Sequence, residues 1–214
     1  MAEVKGDWAV QRKLDVAHNA RFRKGVDVPY LEIVDSKAST TAGGAFNANV
    51  WRTRDLTDTV FNDFATTVTL AAAAGDGGQI VLPPGIYYIE ASAPAMNVNE
   101  HVARLADVTD SPGTFGETVV LGTSEFSSDS SLWTINDAGG GASEGLVVHS
   151  APQTRSHITG KFQLTRSTTL EIQHRCARTQ TVDGLGSAGA FYVTDNIFTE
   201  VRVWQIRDDI TPNP

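Results

Sequence analysis

The sequence of 214 residues predicts an all-β fold, either a sandwich of two sheets or a jelly roll. Three observations predict this class. A Pro-Pro-Gly triplet splits the hydrophobic run between Gly78 and Val98. Short segments rich in β-branched and aromatic residues follow one another with no clear helical pattern between them. The connections between these segments carry Gly, Pro, Asp, Asn or Ser, which are residues that form turns.

The triplet Pro83-Pro84-Gly85 marks a corner between two strands. Two prolines remove two backbone donors and fix φ, so the triplet cannot continue a helix. Gly85 adopts turn conformations that other residues resist. We therefore expect one strand to end at Leu82 and the next to begin at Ile86. Apolar residues at both parities of the segment IYYI indicate a strand that is covered on both faces.

Seven further segments have strand character, and an eighth is ambiguous. The segment VFNDFATTVTLAAAA, residues 60–74, fits a helix and a strand followed by a loop about equally well. The strand candidates in chain order are YLEIV (30–34), GGAFNANVWRTRDL (43–56), HVARLADVTD (101–110), TVVLGTSEF (118–126), SHITGKFQLT (156–165), TTLEIQHRCA (168–177) and FTEVRVWQI (198–206).

The N-terminal residues differ from the rest of the chain in charge. Residues 1–30 have a net charge of +2, whereas the whole chain carries −8, so residues 31–214 carry −10. We expect an N-terminal docking arm of residues 1–29, a body of residues 30–210 and a C-terminal tail of residues 211–214; a solvated arm is the alternative. The arm residues expected to contact another protein are Trp8, Arg12, Lys13, Arg21, Phe22, Arg23 and Lys24.

Composition argues against several classes of partner. An acidic body is a poor partner for nucleic acid. No apolar run approaches the roughly 20 residues of a membrane span, so membrane insertion is not expected. The first residues lack the apolar core of a signal peptide and fit at most one short helix, from about Asp7 to Lys24. Cys176 is the only cysteine, so no disulfide within the chain is expected.

A set of strings in the body resembles a family of phage structural proteins, most of them tail fibres. The combination is specific, although each string alone is weak, and it covers the body from Tyr30 to Arg207. The matching strings are the corner at 80–95, ARL at 103–105, GTSE at 122–125, the TRS and ITGKF strand at 154–165, LEIQHRC at 170–176 and EVRVWQI at 200–206. The general shape also resembles the C1q and tumour-necrosis-factor jelly roll, which has a strand similar to GIYYI at 85–89.

The two resemblances imply a homotrimer and a place on a virion. The C1q and tumour-necrosis-factor fold is normally a tight trimer, and we expect strands Ile86–Ile89 and Val201–Ile206 to supply the apolar face on its axis. The phage resemblance implies a tail-fibre knob that is assembled in the host cytoplasm, binds a host glycan or protein, and is held by another virion protein through the arm. The alternatives are a capsid decoration, cement or head-spike protein, and a non-viral C1q-like binding module.

Two long connections are the expected sites of recognition. The phage family joins the GTSE strand to the TRS strand by a short Ser/Asn loop, whereas this chain has residues 127–153 there. Loops this long inside a compact domain are usually functional or disordered. The connection at 127–153 contains Trp133, and the connection at 178–196 contains Phe191 and Tyr192. These three are the receptor-binding candidates, because aromatic residues dominate binding hot spots. The alternatives are that Trp133 packs on the body or a neighbouring subunit, and that GAFYV at 189–193 begins a strand.

We expect neither enzymatic activity nor a cofactor. His174 and Cys176 lie two apart and would share one face of a strand with Leu170 and Ile172. A nucleophile pair or half of a metal site is one interpretation, but the apolar face favours core packing. The other histidines have no metal-ligand spacing, and the glycines at 139–141 lack the Lys and Ser/Thr of a phosphate loop.

The turn SPGTFGE has acidic neighbours. Asp107, Asp110 and Glu117 could offer oxygens to calcium. The loop has no EF-hand pattern, however, so we expect a solvated turn and no metal site.

Overall fold

The chain folds into two packed β-sheets. The computed structural model describes residues 28–64, 66–73, 75–110, 116–127, 153–189 and 195–207. These residues form eleven strands and no helix. The strands are β1 Tyr30–Ala38, β2 Arg52–Thr53, β3 Asp58–Asn62, β4 Val68–Thr69, β5 Gln79–Leu82, β6 Gly85–Met96, β7 Asn99–Asp107, β8 Glu117–Ser127, β9 Gln153–Leu164, β10 Thr168–Cys176 and β11 Asp195–Arg207.

The strand order is that of a jelly roll. The first sheet has the order β3-β1-β11-β6-β9, and the second has the order β4-β5-β10-β7-β8, with β2 also paired to β10. From β5 onward the chain crosses repeatedly between the sheets, so that sequential strands such as β9, β10 and β11 alternate between the two layers. Two packed antiparallel sheets connected in this way define a jelly roll, and the predicted all-β jelly-roll fold class is confirmed.

The predicted corner separates β5 from β6. The hydroxyl of Tyr87 donates a hydrogen bond to the Pro83 carbonyl oxygen at 2.7 Å, which ties the new strand back to the corner. β6 then continues through Pro94, which pairs with Arg155 of β9. The ladder between β6 and β11 has ended by then, at Ser92. Pro94 therefore has a neighbouring strand on one side only, where a missing N–H is tolerated.

The main core lies between the sheets. Tyr87 of β6 stacks on Phe162 of β9 with ring centroids 5.5 Å apart. Full burial of such a side chain stabilises the fold by about 1.5–3 kcal/mol. The inward face of β10 carries Leu170, Ile172, His174 and Cys176, all buried, so the prediction of core packing for this face is confirmed.

One predicted strand is largely wrong, and the ambiguous segment is resolved. In the segment at 43–56 only β2 and an isolated bridge from Phe46 to Gln180 pair as strands. The left-handed φ of 63° at Asn49 interrupts any extended run there. The described residues of segment 60–74 form the end of β3, a connection and β4, so the interpretation as strand and loop is confirmed.

The two sheets meet along the edges formed by β8 and β9. The Ser156 hydroxyl donates to the Thr123 carbonyl oxygen at 2.6 Å, and the His157 N–H donates to the Thr123 hydroxyl oxygen at 3.0 Å. A Cβ at Gly122 would lie 2.8 Å from the His157 carbonyl oxygen, so the two edges approach closely. The sandwich is therefore closed on this side.

A smaller core lies at one end of the sandwich. Its buried members are Phe46, Ala95, Val98, Cys176 and Leu185. The first half of the predicted recognition loop at 178–196 belongs to this core and is held by backbone hydrogen bonds from Gly43 to Gly186 and from Leu185 to Gly44. This half of the expected recognition loop is held in place, because it covers apolar side chains.

Gly186→Ala is expected to destabilise the protein more than Gly44→Ala does. Both glycines have positive φ, 130° and 109°, so each alanine is strained by about 1–3 kcal/mol. A Cβ at Gly186 would also lie 2.5 Å from the buried Phe198 ring, whereas nothing lies within 4 Å of a Cβ at Gly44. Urea unfolding should therefore give a further loss of about 1–3 kcal/mol for Gly186→Ala. Equal losses would contradict the packing argument.

Candidate functional site

Four aromatic rings cross the outer surface of the first sheet. They belong to Phe61 of β3, Tyr30 of β1, Trp204 of β11 and Tyr88 of β6, and we call them the aromatic face. Tyr30 lies 5.9 Å from Phe61 and 5.2 Å from Trp204 between ring centroids, and Trp204 lies 5.9 Å from Tyr88. Phe61 is 49% exposed, and Ile206 near the end of β11 is 45% exposed. The four rings form a continuous apolar strip across four neighbouring strands.

The alternation of side chains along a strand explains this face. In β6, Tyr87 and Ile89 point into the core, which places Tyr88 outside. In β11, Val201 and Val203 point inward, which places Trp204 outside. Both strands therefore carry apolar residues on both faces. Tyr88 and Trp204 are partly exposed in the single chain, so the expected cover of the outer face stays a prediction.

Charged groups lie beside the aromatic face. Arg202 forms a salt bridge to Glu32, with Nε and Oε1 3.2 Å apart, and a second one to Glu200. The hydroxyl of Tyr30 donates to Glu32 Oε2 at 3.0 Å. The hydrogen bond to Glu32 raises the pKa of Arg202, whereas burial is the main cause of the raised pKa of Tyr30. Since Arg202 is partly exposed, these pairs stabilise the isolated chain little and remain open to groups on another surface.

The interior also holds a group of charges, which we call the charge centre: Asp35, Lys37, Arg54 and Asp55. Lys37 Nζ lies 2.6 Å from Asp35 Oδ1 and 3.2 Å from Asp55 Oδ2. Asp55 also accepts hydrogen bonds from the N–H groups of Gly75 and Gly77. Two cations and two carboxylates balance, which makes their burial tolerable.

Arg54 is the largest member of the charge centre and is fully buried. Its Nε donates to the Thr199 hydroxyl at 2.8 Å, and its terminal nitrogens donate to the carbonyl oxygens of Leu185 at 2.9 Å and Pro94 at 3.5 Å. Burial lowers its pKa to about 10, against the opposing effect of the Asp35 and Asp55 charges. This side chain therefore connects β6, β11 and the loop that contains Leu185.

Two buried histidines meet next to Arg54, a contact that the sequence did not indicate. His101 Nδ1 lies 2.9 Å from His174 Nε2, and His101 Nε2 lies 2.7 Å from the Thr154 hydroxyl. His174 Nδ1 has no hydrogen-bond partner among the described residues. Burial lowers the pKa of His101 to about 4 and that of His174 well below 6.5. Both rings are therefore neutral at physiological pH.

The remaining predicted site residues have different outcomes. The docking-arm residues from Trp8 to Lys24 and the receptor candidates Trp133, Phe191 and Tyr192 lie outside the described residues. The acidic turn contacts Arg166, which pairs with Asp110 and lies 3.9 Å from Asp107. The hydrogen bond from Arg166 lowers the pKa of Asp110.

The described residues contain no group of three or more His, Cys, Asp or Glu side chains that could hold a metal ion. No helix long and apolar enough to span a membrane occurs in the same part of the chain.

The fold and the aromatic face define a jelly-roll module with an apolar surface open to association. No model of a protein family matches the chain. No curated protein matches it either. Solved structures that are similar to the chain include C1q and tumour-necrosis-factor domains. The assignment of the jelly roll rests on the strand order of this chain and not on that similarity.

Three of these structures can be compared directly. The globular domain of zebrafish complement 1qA protein is 10% identical, with a TM-score of 0.43 over 83% of this chain and 97% of that chain. Murine APRIL at pH 8.5 is 10% identical, with a TM-score of 0.43 over 83% and 98%. Eiger TNF from S. frugiperda is 9% identical, with a TM-score of 0.49 over 87% and 98%.

Proposed function

We propose that this chain is a trimeric surface protein of a phage virion, the knob of a tail fibre that binds a host receptor. The aromatic face is the observation that carries the proposed self-association. The virion role is supported by the six strings of the body that resemble phage tail fibres, including LEIQHRC and EVRVWQI. The arm of residues 1–29 is proposed to attach the knob to another virion protein.

The aromatic face has the properties of a surface that a second copy would cover. Each square ångström of apolar area removed from water contributes about 25 cal/mol. Aromatic residues and arginine are enriched at protein interfaces, and both occur here, with Arg202 next to Trp204. The opposite charges of Arg202, Glu32 and Glu200 can exchange partners between copies around a three-fold axis.

We expect the purified body to be a trimer at micromolar concentration and the double variant Tyr88→Ser/Trp204→Ser to be largely monomeric. The variant removes two central rings of the aromatic face while leaving the inward residues of β6 and β11 unchanged. Leu121→Ser is the matched control, because Leu121 is exposed on β8 of the other sheet. Light scattering coupled to size exclusion measures the mass, and circular dichroism checks the fold. A monomeric wild-type body would contradict the proposal.

The receptor role predicts that Trp133→Ala slows adsorption of the phage to host cells. Aromatic side chains dominate binding hot spots, and three copies around one axis would multiply each weak contact. Particle assembly and thermal stability should remain close to wild type. Adsorption at the wild-type rate would remove the loop at 127–153 from the proposal, and unchanged adsorption of particles without the protein would remove the receptor role.

The second candidate function is a capsid decoration, cement or head-spike protein. The aromatic face fits this candidate equally well, because a trimeric decoration protein would also bury an apolar surface between its copies. Electron microscopy of virions with a labelled antibody against the body distinguishes the candidates. Label on the tail supports the knob, whereas label on the capsid, together with loss of heat resistance when the protein is removed, supports decoration.

A further inference from the structure

The outer surface of the second sheet has a groove at the end where β7, β8 and β10 lie side by side. The groove has a volume of about 730 Å³, and its lining includes Asn49, Glu100, Val102, Ser124, Phe126 and Arg175. Glu100 pairs with Phe126, and Val102 pairs with both Ser124 and Arg175. Paired residues on neighbouring strands share a face of the sheet, so these side chains form two adjacent rows on one surface.

The wall of the groove includes a large exposed ring. Phe126 is 56% exposed, and no described aromatic ring or cation packs against it. Phenylalanine has no polar atom that would favour this exposure. The ring therefore presents a flat apolar surface to a ligand at the edge of a concave site.

The polar groups around the ring are free to bind. The side chains of Asn49, Glu100 and Arg175 form no hydrogen bond or salt bridge with the described residues. The Glu100 carboxylate accepts hydrogen bonds, the Arg175 guanidinium donates them, and the Asn49 amide can do both. Ser124 adds an exposed hydroxyl to the same surface. Several unpaired planar polar groups therefore converge on one apolar ring.

We propose that this groove binds a neutral saccharide. A sugar ring has an apolar C–H face, which packs on an aromatic ring, and a rim of hydroxyls that both donate and accept hydrogen bonds. A groove with one exposed ring and a few planar polar groups matches both features, and its volume falls within the range of small-molecule sites. This inference stands on the second sheet alone and does not depend on the trimer or on the virion role.

The charge of the groove selects against acidic sugars. Glu100 and Arg175 carry opposite charges on the groove surface, so the groove offers no net positive charge to an acidic sugar. The rest of the body is strongly acidic, since residues 31–214 carry −10. A sialylated or sulfated saccharide would be repelled by this field. Neutral saccharides, including N-acetylated ones, are therefore the expected ligands.

Saturation-transfer NMR on the purified full chain tests the proposal, because this method detects the weak binding expected of an open groove. The probes are cellotetraose, maltotetraose and chitotetraose, with 3′-sialyllactose as the acidic contrast. We expect transfer to at least one neutral tetrasaccharide and none to sialyllactose. Phe126→Ala should weaken that binding by about tenfold or more, and Phe126→Tyr should retain it.

Leu121→Ala is the matched control, because Leu121 lies on the same strand, is 60% exposed and does not line the groove. It should bind as the wild type does, and thermal unfolding of each variant shows whether the fold is kept. The proposal is overturned if no neutral probe receives transfer, if only sialyllactose does, or if Phe126→Ala binds as tightly as the wild type. Binding can fail here while the body remains a trimer and phage adsorption is unaffected, so this result is separate from the proposed function.

Discussion

Replacing Arg54 by alanine is expected to lower the free energy of unfolding by about 3–5 kcal/mol, which is the range for breaking a buried charge network by removing one member. The variant would leave the Thr199 hydroxyl and the Leu185 carbonyl oxygen without their donor. It would also leave Asp35 and Asp55 with Lys37 as the only cation of the charge centre. Urea unfolding at neutral pH measures the loss as a lower midpoint at an unchanged slope.

Two further substitutions of Arg54 separate charge from hydrogen bonding. Arg54→Lys keeps the charge but loses the planar donor geometry that reaches three acceptors, so an intermediate loss is expected. Arg54→Met fills most of the volume of the arginine but carries no charge. Its loss of unfolding free energy should therefore approach that of Arg54→Ala, less the part that the alanine variant loses through its cavity. If Arg54→Met were as stable as the wild type, the charge centre would contribute nothing to stability.

The second large effect is acid destabilisation through the histidine pair. The pKa of His101 in the folded protein is lowered to about 4, whereas an unfolded histidine titrates near 6.5. Below pH 6.5 the unfolded chain therefore binds more protons than the folded chain, and stability falls as the pH decreases. The loss begins near pH 6.5, grows until about pH 4, and reaches at most about 3 kcal/mol for His101. The lowered pKa of His174 adds to it in the same direction.

The surroundings of the pair explain why protonation is unfavourable. Arg54 already places a positive charge near both rings, and the rings are close enough for each charge to oppose the other. The charge of Glu125 has the opposite effect, because it raises the pKa of His101. A proton on either ring would therefore add positive charge to a buried region whose charges otherwise balance.

His174→Gln tests this account, because an amide can still bond to His101 but does not titrate. We expect its unfolding free energy to fall less steeply than that of the wild type between pH 7 and pH 5. His157→Gln controls for the loss of a histidine, since His157 is exposed on β9. Parallel pH profiles for His174→Gln and the wild type would show that the pair is not the source of the acid sensitivity.

Local chemistry explains how much of the fold could be predicted from the sequence. The break at Pro83 and Pro84 separates β5 from β6, and alternation placed Tyr88 and Trp204 opposite the core residues of their strands. These features depend on residues that are adjacent in the chain. The segment around Asn49 was overestimated as a strand, because its composition resembles a strand while its backbone takes a left-handed turn.

The histidine pair and the contacts of Arg54 were not predicted, because they join residues that are far apart in the sequence. His101 and His174 are 73 residues apart, and Arg54 and Thr199 are 145 apart. Each pair meets only because the jelly-roll connections bring their strands together. An arginine in RTRDL and a histidine in HVARL are ordinary in sequence, since burial and partners are properties of the folded chain.

The closure of the sandwich along β8 and β9 also affects how copies can meet. A long free strand edge offers unpaired backbone groups that can template the addition of strands from another molecule. Here the edge strands β8 and β9 face each other across the hydrogen bonds of Thr123, and the opposite edges are the five-residue β3 and the two-residue β4. The described strands thus provide little backbone for amyloid-like stacking. Crowded copies of this protein are expected to stay separate folding units, joined through side chains and not through shared sheets.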